Sequence, residues 1–155
     1  MRPSWLIPLL LSLAFAGPAH AQERAVPYWA SLRSDEVNMR VGPSPDYPID
    51  WVYRRAGLPV RVVRVNQGWR LVEDPAGTRG WVVARLLTPD RSAIVVGEGL
   101  AELRAEPSDT AKLLWRAEPG VVAALGGCDG GWCRIDAAGH KGWIRSRRLW
   151  GAGEP

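Results

Sequence analysis

Few residues in this 155-residue chain have a type and spacing that suggest chemistry. Cys128 and Cys133 are its only cysteines, and they flank Asp129-Gly130-Gly131-Trp132, a stretch suited to a tight hairpin turn. A bridge between the two arms closes a short loop. In the chain-entropy view it contributes about 2 kcal/mol and pins the hairpin register. The C-x4-C spacing is not the C-x-x-C of redox-active pairs, and a bridged cysteine cannot act as a nucleophile. A Cys/His hydrolase built with His140 is therefore disfavoured. Zinc would need more Cys or His ligands than are available. Glu73 and Asp74 adjoin a turn and read as solvated carboxylates, not as a catalytic pair. No catalytic residue, metal ligand or cofactor site is expected.

The opening residues bear on where such a bridge would form. After Arg2 the chain runs largely apolar from Trp5 to Ala16, then reaches Gly17-Pro18-Ala19-His20-Ala21. This has the form of a secretory signal peptide over residues 1–21, cleaved after Ala21. The apolar run is too short to span a bilayer, which takes about 20 residues, and no second one follows. The expected product is exported, periplasmic or secreted, with no transmembrane segment, and a disulfide is the default there. Net charge falls from +4 to +3 once Arg2 is removed. That mild balance, supplied almost wholly by arginine, allows an anionic partner but is equally explained by solubility. Apart from Arg145, Arg147 and Arg148 there is no basic stripe, and a nucleic-acid partner is disfavoured.

The elements that position these residues come in two copies. Asn38-Met39-Arg40-Val41-Gly42-Pro43-Ser44 aligns with Glu102-Leu103-Arg104-Ala105-Glu106-Pro107-Ser108 at an offset of 64. Val52-Tyr53-Arg54 aligns with Leu114-Trp115-Arg116 at 62, Gly68-Trp69 with Gly131-Trp132 at 63, and Gly80-Trp81-Val82 with Gly142-Trp143-Ile144 at 62. An ordered series of this kind marks a duplicated module. In the first copy, strands are expected over 36–40, 51–55, 60–65, 69–73 and 80–83, separated by Gly, Pro, Asn and Asp turns. The second repeats the plan over 102–104, 113–116, 121–128, 132–136 and 142–145. Ala93-Ile94-Val95-Val96 either opens the second copy or pairs with the first. Helical periodicity is absent apart from a single turn near Ala84 to Leu87. The fold class is all-β: two tandem small barrels over 28–88 and 92–151. Thr88-Pro89-Asp90-Arg91 is too short to be a free linker, so the barrels should pack together.

Val37-Asn38-Met39-Arg40-Val41-Gly42-Pro43-Ser44 resembles the opening strand and loop of bacterial SH3-like domains, and Gly80-Trp81-Val82 with Leu86-Leu87 resembles their closing strand. The second copy departs from the pattern at Ala105-Glu106. The resemblance covers roughly residues 30–151 and implies two tandem SH3-like β-barrels; it implies little about function, because fold does not fix function. In such barrels the irregular loop after the first strand and a neighbouring turn frame a groove. This makes Arg40, Tyr47, Trp51, Tyr53 and Arg54 the candidate ligand-binding residues, the aromatics for stacking and the arginines for carboxylates. The competing reading makes Trp51 or Tyr53 core and lets Arg40 satisfy the loop backbone. Trp69, Trp81, Trp132 and Trp143 are expected to pack in the core or between strands. The resemblance further suggests cell-wall (peptidoglycan) peptide or another envelope component as the ligand of a non-catalytic binding module. The alternative is a periplasmic protein–protein adaptor or inhibitor with no wall binding. The regular first copy is the expected carrier of the groove.

Overall fold

Val60-Arg61-Val62-Val63-Arg64-Val65 alternates side chains on a β-branched backbone, and in the structure it is the longest strand of the first half. The structure, a computed structural model, describes residues 24–155. The signal peptide expected over 1–21 lies outside the described residues. The first sheet contains β1 (Tyr28–Leu32), β2 (Val37–Arg40), β3 (Ile49–Tyr53), β4 (Pro59–Asn66), β5 (Trp69–Glu73), β6 (Arg79–Val83) and β7 (Leu87–Thr88). The second contains β8 (Ser92–Val95), β9 (Ala101–Arg104), β10 (Leu113–Ala117), β11 (Val122–Asp129), β12 (Trp132–Ala137), β13 (His140–Arg145) and β14 (Leu149–Trp150). A single 3-10 turn precedes the last strand of each, at Ala84–Leu86 and Ser146–Arg148.

The two sheets have the same strand order, β3-β2-β6-β5-β4-β1-β7 and β10-β9-β13-β12-β11-β8-β14, with antiparallel pairing throughout. The duplication extends to single hydrogen bonds. Leu32 N–H donates to Leu58 O and Val95 N–H to Val121 O; Val41 N–H donates to Pro48 O and Ala105 N–H to Lys112 O. Residues 93–96, left open by the sequence, belong to the second sheet, where β8 pairs with β11 and β14. Strands β1, β7 and β14 were not foreseen. They are short, and two of them consist of two residues, too few to show any alternation.

Each sheet wraps its own core. Leu32, Val37, Met39, Val60, Val62, Val72 and Val82 fill the first; Val95, Leu103, Cys133, Ile135 and Ile144 fill the second. Fully burying one such side chain contributes about 1.5–3 kcal/mol. Trp81 and Trp132 are buried, while Trp69 and Trp143 are only half-buried, so each copy sinks one of its two matched indoles. Gly80 has its reason in the core: a Cβ there would lie 2.6 Å from Met39 Sδ, and no aromatic ring is among its nearest neighbours.

The two sheets meet directly. Ser31 Oγ donates to Asp90 O at 2.7 Å and lies 2.6 Å from Ser92 Oγ. With its one proton committed to the carbonyl, Ser31 accepts from Ser92, and this buried pair is satisfied. Trp29 Nε1 donates to Gly153 O at 3.0 Å while its ring meets Trp150 edge-on at 4.7 Å. Arg55 reaches Gly120 O at 2.6 Å. For barrels of about 60 residues, each with a modest core, such mutual packing adds stability.

Glu73 is a correction to the sequence reading. It is buried, not solvated, and accepts from Arg61 at 2.5 Å and Arg79 at 2.6 Å. The Arg79 hydrogen bond, and after it the bond and charge of Arg61, hold its carboxyl below the usual glutamate range against the opposing effect of burial. A lowered folded value means that the stabilisation is complete at neutral pH. It is lost as pH falls below the ordinary glutamate range of about 4.3 and through the folded value. Glu73→Gln is expected to cost about 1–2 kcal/mol at pH 7, because Arg79 is largely exposed and screened. Urea unfolding of both proteins at several pH values checks this: the gap should narrow in acid.

Candidate functional site

The five candidate residues are sorted by the pairing of β2 with β3. Val37 faces Tyr53, Asn38 faces Val52, and Met39 faces Trp51; a bulge at Asp50 then sets Arg40 opposite Ile49. A bulge inserts one unpaired residue and re-aims its neighbours. Beyond it, the chain turns through Gly42-Pro43-Ser44-Pro45-Asp46. Ser44 Oγ and Asp46 bond each other within this loop, and Tyr47 N–H donates to Ser44 O.

Tyr47 and Trp51 are exposed, at 46% and 58%, as a ligand platform requires. The Tyr47 ring lies over Gly42, where a Cβ would come within 2.5 Å of it. This is the local reason for the Gly-Pro loop. In the second copy the matching pair is Glu106 and Ala111: with the ring gone, the glycine is no longer needed. Val41 and Ile49, not foreseen as site residues, are also exposed and lie beside these aromatics through the Val41–Pro48 and Arg40–Ile49 pairings. Four exposed apolar residues thus lie on β3 or in the loop leading to it, and β3 is bonded to β2 on one side only.

The other three candidates do different work. Arg40 donates from Nη1 to Tyr47 O at 2.6 Å and so satisfies the loop backbone. Arg54 is exposed and pairs with Glu36 at 2.8 Å. Tyr53, expected on the surface, is buried at 5% exposure. Its hydroxyl donates to Asp74 Oδ2 at 3.1 Å and lies 3.4 Å from Met39 Sδ. Burial, then the charge and hydrogen bond of Asp74, push its phenol well above the usual range, so it remains a donor. Tyr53 is a core residue because its position faces Val37, inside the barrel, while Trp51 stands next to the bulge.

The second copy follows the same register with different side chains. Leu103 faces Trp115 and Ala101 faces Ala117. Trp115 therefore corresponds to Trp51 and Ala117 to Tyr53, an offset of 64. The sequence alignment of Tyr53 with Trp115 at 62 is two residues out. Arg104 repeats the role of Arg40 by donating to Ala111 O at 2.7 Å. Of the short arginine cluster, Arg145 packs over Trp132 and pairs with Asp109, and Arg148 bonds Val96 O and Gly99 O. Those two guanidinium groups are committed within the fold.

The expected bridge is present. Cys128 and Cys133 face each other across β11 and β12, with Cα atoms 4.0 Å apart, and are joined. Cys133 is fully buried and Cys128 exposed, so the bond ties an outer strand end to the core. In the first copy Val65 and Arg70 face each other at the matching place without a bond. Among the described residues no group of three or more His, Cys, Asp or Glu is placed to hold a metal ion, and no helix is long and apolar enough to cross a membrane.

The chain is similar in part to several known proteins. YrvJ of Bacillus subtilis strain 168, named an N-acetylmuramoyl-L-alanine amidase, is 24% identical over 149 residues. The alignment takes in 90% of this chain but only 28% of that protein's length. Among solved structures, NlpC1 of Trichomonas vaginalis is 17% identical, with 93% of this chain and 50% of that one covered and a TM-score of 0.37. An NlpC/P60 family protein of Bacillus cereus is 16% identical, with 79% and 56% covered and a TM-score of 0.35. The bacterial SH3 domain family matches twice, over residues 33–89 and 97–151, one match on each sheet, and the chain belongs to that family as a tandem pair.

Proposed function

We propose that this chain is an exported, non-catalytic binding module that takes up cell-wall peptide at the outer edge of its first barrel. The observation that carries this reading is the exposure of Val41, Tyr47, Ile49 and Trp51 on and beside an edge strand. An edge strand has free backbone N–H and C=O groups for an extended peptide, and neighbouring aromatics give it a surface to lie on. The relative's name refers to N-acetylmuramoyl-L-alanine, a wall constituent, which supports the choice of ligand class. Export rests on the leader-like first 21 residues and on the disulfide. A non-catalytic role is supported by the bridge, which takes up both thiols.

Sedimentation with purified sacculi tests the proposal. The protein should pellet with the wall, and Trp51→Ala should weaken binding by roughly 5- to 30-fold, as loss of an aromatic anchor does. The reading fails if the unmutated protein stays wholly in the supernatant. The same edge strand also suits a protein segment, the adaptor reading. A crosslinking probe at Tyr47 in intact cells separates the two: one stoichiometric protein partner, unaffected by wall digestion, would favour the adaptor.

A further inference from the structure

The second barrel has a hollow where the first has a side chain. Four positions define it. Tyr53 corresponds to Ala117, and Met39, which faces Trp51, to Leu103, which faces Trp115. On the other side Glu73 pairs with Arg79 and Asp136 with Lys141, so Asp74 corresponds to Ala137 and Thr78 to His140. In the first barrel, then, a phenol ring fills this space and its hydroxyl is held by Asp74 at 3.1 Å. In the second, both the ring and the acid are replaced by alanine. A pocket of about 420 Å³ results, lined by Leu103, Trp115, Ala117, Val121, Ala137 and His140.

We propose that this pocket receives an aromatic side chain, a plain phenyl ring in preference to others, from a peptide lying along β10. Four observations select that occupant. The same scaffold position is filled by a six-membered ring in the first barrel. The wall is already set for a ring: Trp115 and His140 meet edge-to-face with centroids 4.5 Å apart at 90°, leaving aromatic surface beside the hollow. The Ala137 side chain carries no acceptor where the Asp74 carboxylate stands in the first barrel, so a phenol hydroxyl would lose that partner and an unsubstituted ring would not. Arg116 and Glu118 at the rim carry opposite charges, which suits a neutral group. The peptide origin follows from topology. Trp115 is on β10, the end strand of its sheet, bonded to β9 on one side and free on the other. A chain pairing there can direct every second side chain toward the barrel.

This site is separate from Tyr47 and Trp51 and does not depend on the wall-binding reading. Its test is a titration of the purified protein with N-acetyl-L-phenylalanine amide and N-acetyl-L-leucine amide, followed by backbone amide NMR shifts. The phenylalanine probe should give saturable shifts at Ala117, Val121, Ala137 and His140 and none at Met39 or Trp51, with weaker binding of the leucine probe. Ala117→Phe, which fills the hollow with a ring that needs no acceptor, should abolish these shifts while leaving the amide resonances of the first barrel in place. If that variant loses its dispersed spectrum, Ala117→Leu fills the same space with a smaller group and should have the same effect. The proposal is overturned if the phenylalanine probe gives no saturable shifts, if leucine binds as well, or if a folded, filled variant still binds.

Discussion

Tyr53→Ala is expected to cost the first barrel about 3–5 kcal/mol, the usual range for removing a buried aromatic side chain. Two effects add. The ring leaves a void against Met39 and its neighbours in a core whose other members are all buried. The void forfeits contacts that partial relaxation does not restore. Asp74 also loses its phenol donor, although Oδ1 keeps the backbone N–H groups of Ala76 and Thr78, both at 2.9 Å. The carboxylate is thereby left partly satisfied, which limits the loss. Amide hydrogen exchange is the appropriate measurement, since it reads the barrels separately. Protection should fall in β2, β5 and β6 and hold in β12 and β13. Unchanged protection in the first sheet would refute the assignment of Tyr53 to the core. The second barrel carries alanine at this position naturally, so the comparison isolates a ring around which only one copy is built.

Gly151→Ala is expected to cost about 2–4 kcal/mol through backbone strain and overpacking together. Gly151 has a φ of +102°, a conformation that residues with a Cβ rarely adopt, and an added Cβ would lie 2.6 Å from Ser92 O and 3.0 Å from Pro59 Cβ. Ser92 belongs to the second barrel and Pro59 to the first, so the residue is wedged where they meet. Moving it would disturb the Arg91 bond to Gly151 O at 2.8 Å and the Trp29 bond to Gly153 O. Gly153→Ala is the control. It too has a positive φ, +74°, but nothing stands within 4 Å of its Cβ position, so a cost of about 1 kcal/mol is expected. Thermal unfolding of the three proteins should rank wild type above Gly153→Ala and that above Gly151→Ala. Equal midpoints for the two variants would mean that the contact between the barrels contributes little.

The two barrels have diverged in complementary ways. The first keeps Gly42 under Tyr47 and fills its interior with Tyr53; the second has Glu106 and Ala111 at the loop, Ala117 inside, and a disulfide across its hairpin. The exposed Tyr47 and Trp51 lie on one barrel and the pocket on the other.

The sequence by itself determined the duplication, the all-β class, the hairpin that places Cys128 against Cys133, and the placement of most strands. These features are local: alternation, β-branched runs and Gly, Pro, Asn or Asp turns act through neighbours along the chain. Tertiary structure alone decided which side chains face outward. The bulge at Asp50, and another between Leu113 and Trp115, shift the pairing without leaving any mark in composition. The alignment of Arg54 with Arg116 matched Tyr53 to Trp115, whereas the strand register, the same in both copies, makes Ala117 its counterpart. Burial of Glu73 and Tyr53 likewise depends on Arg61, Arg79, Met39 and Asp74, which come from other strands or turns. Cys128 and Cys133 lie on one hairpin and could be paired by reading along the chain. The hollow at Ala117 exists only where β9, β10 and the turn between β12 and β13 converge, and no segment of sequence contains that convergence.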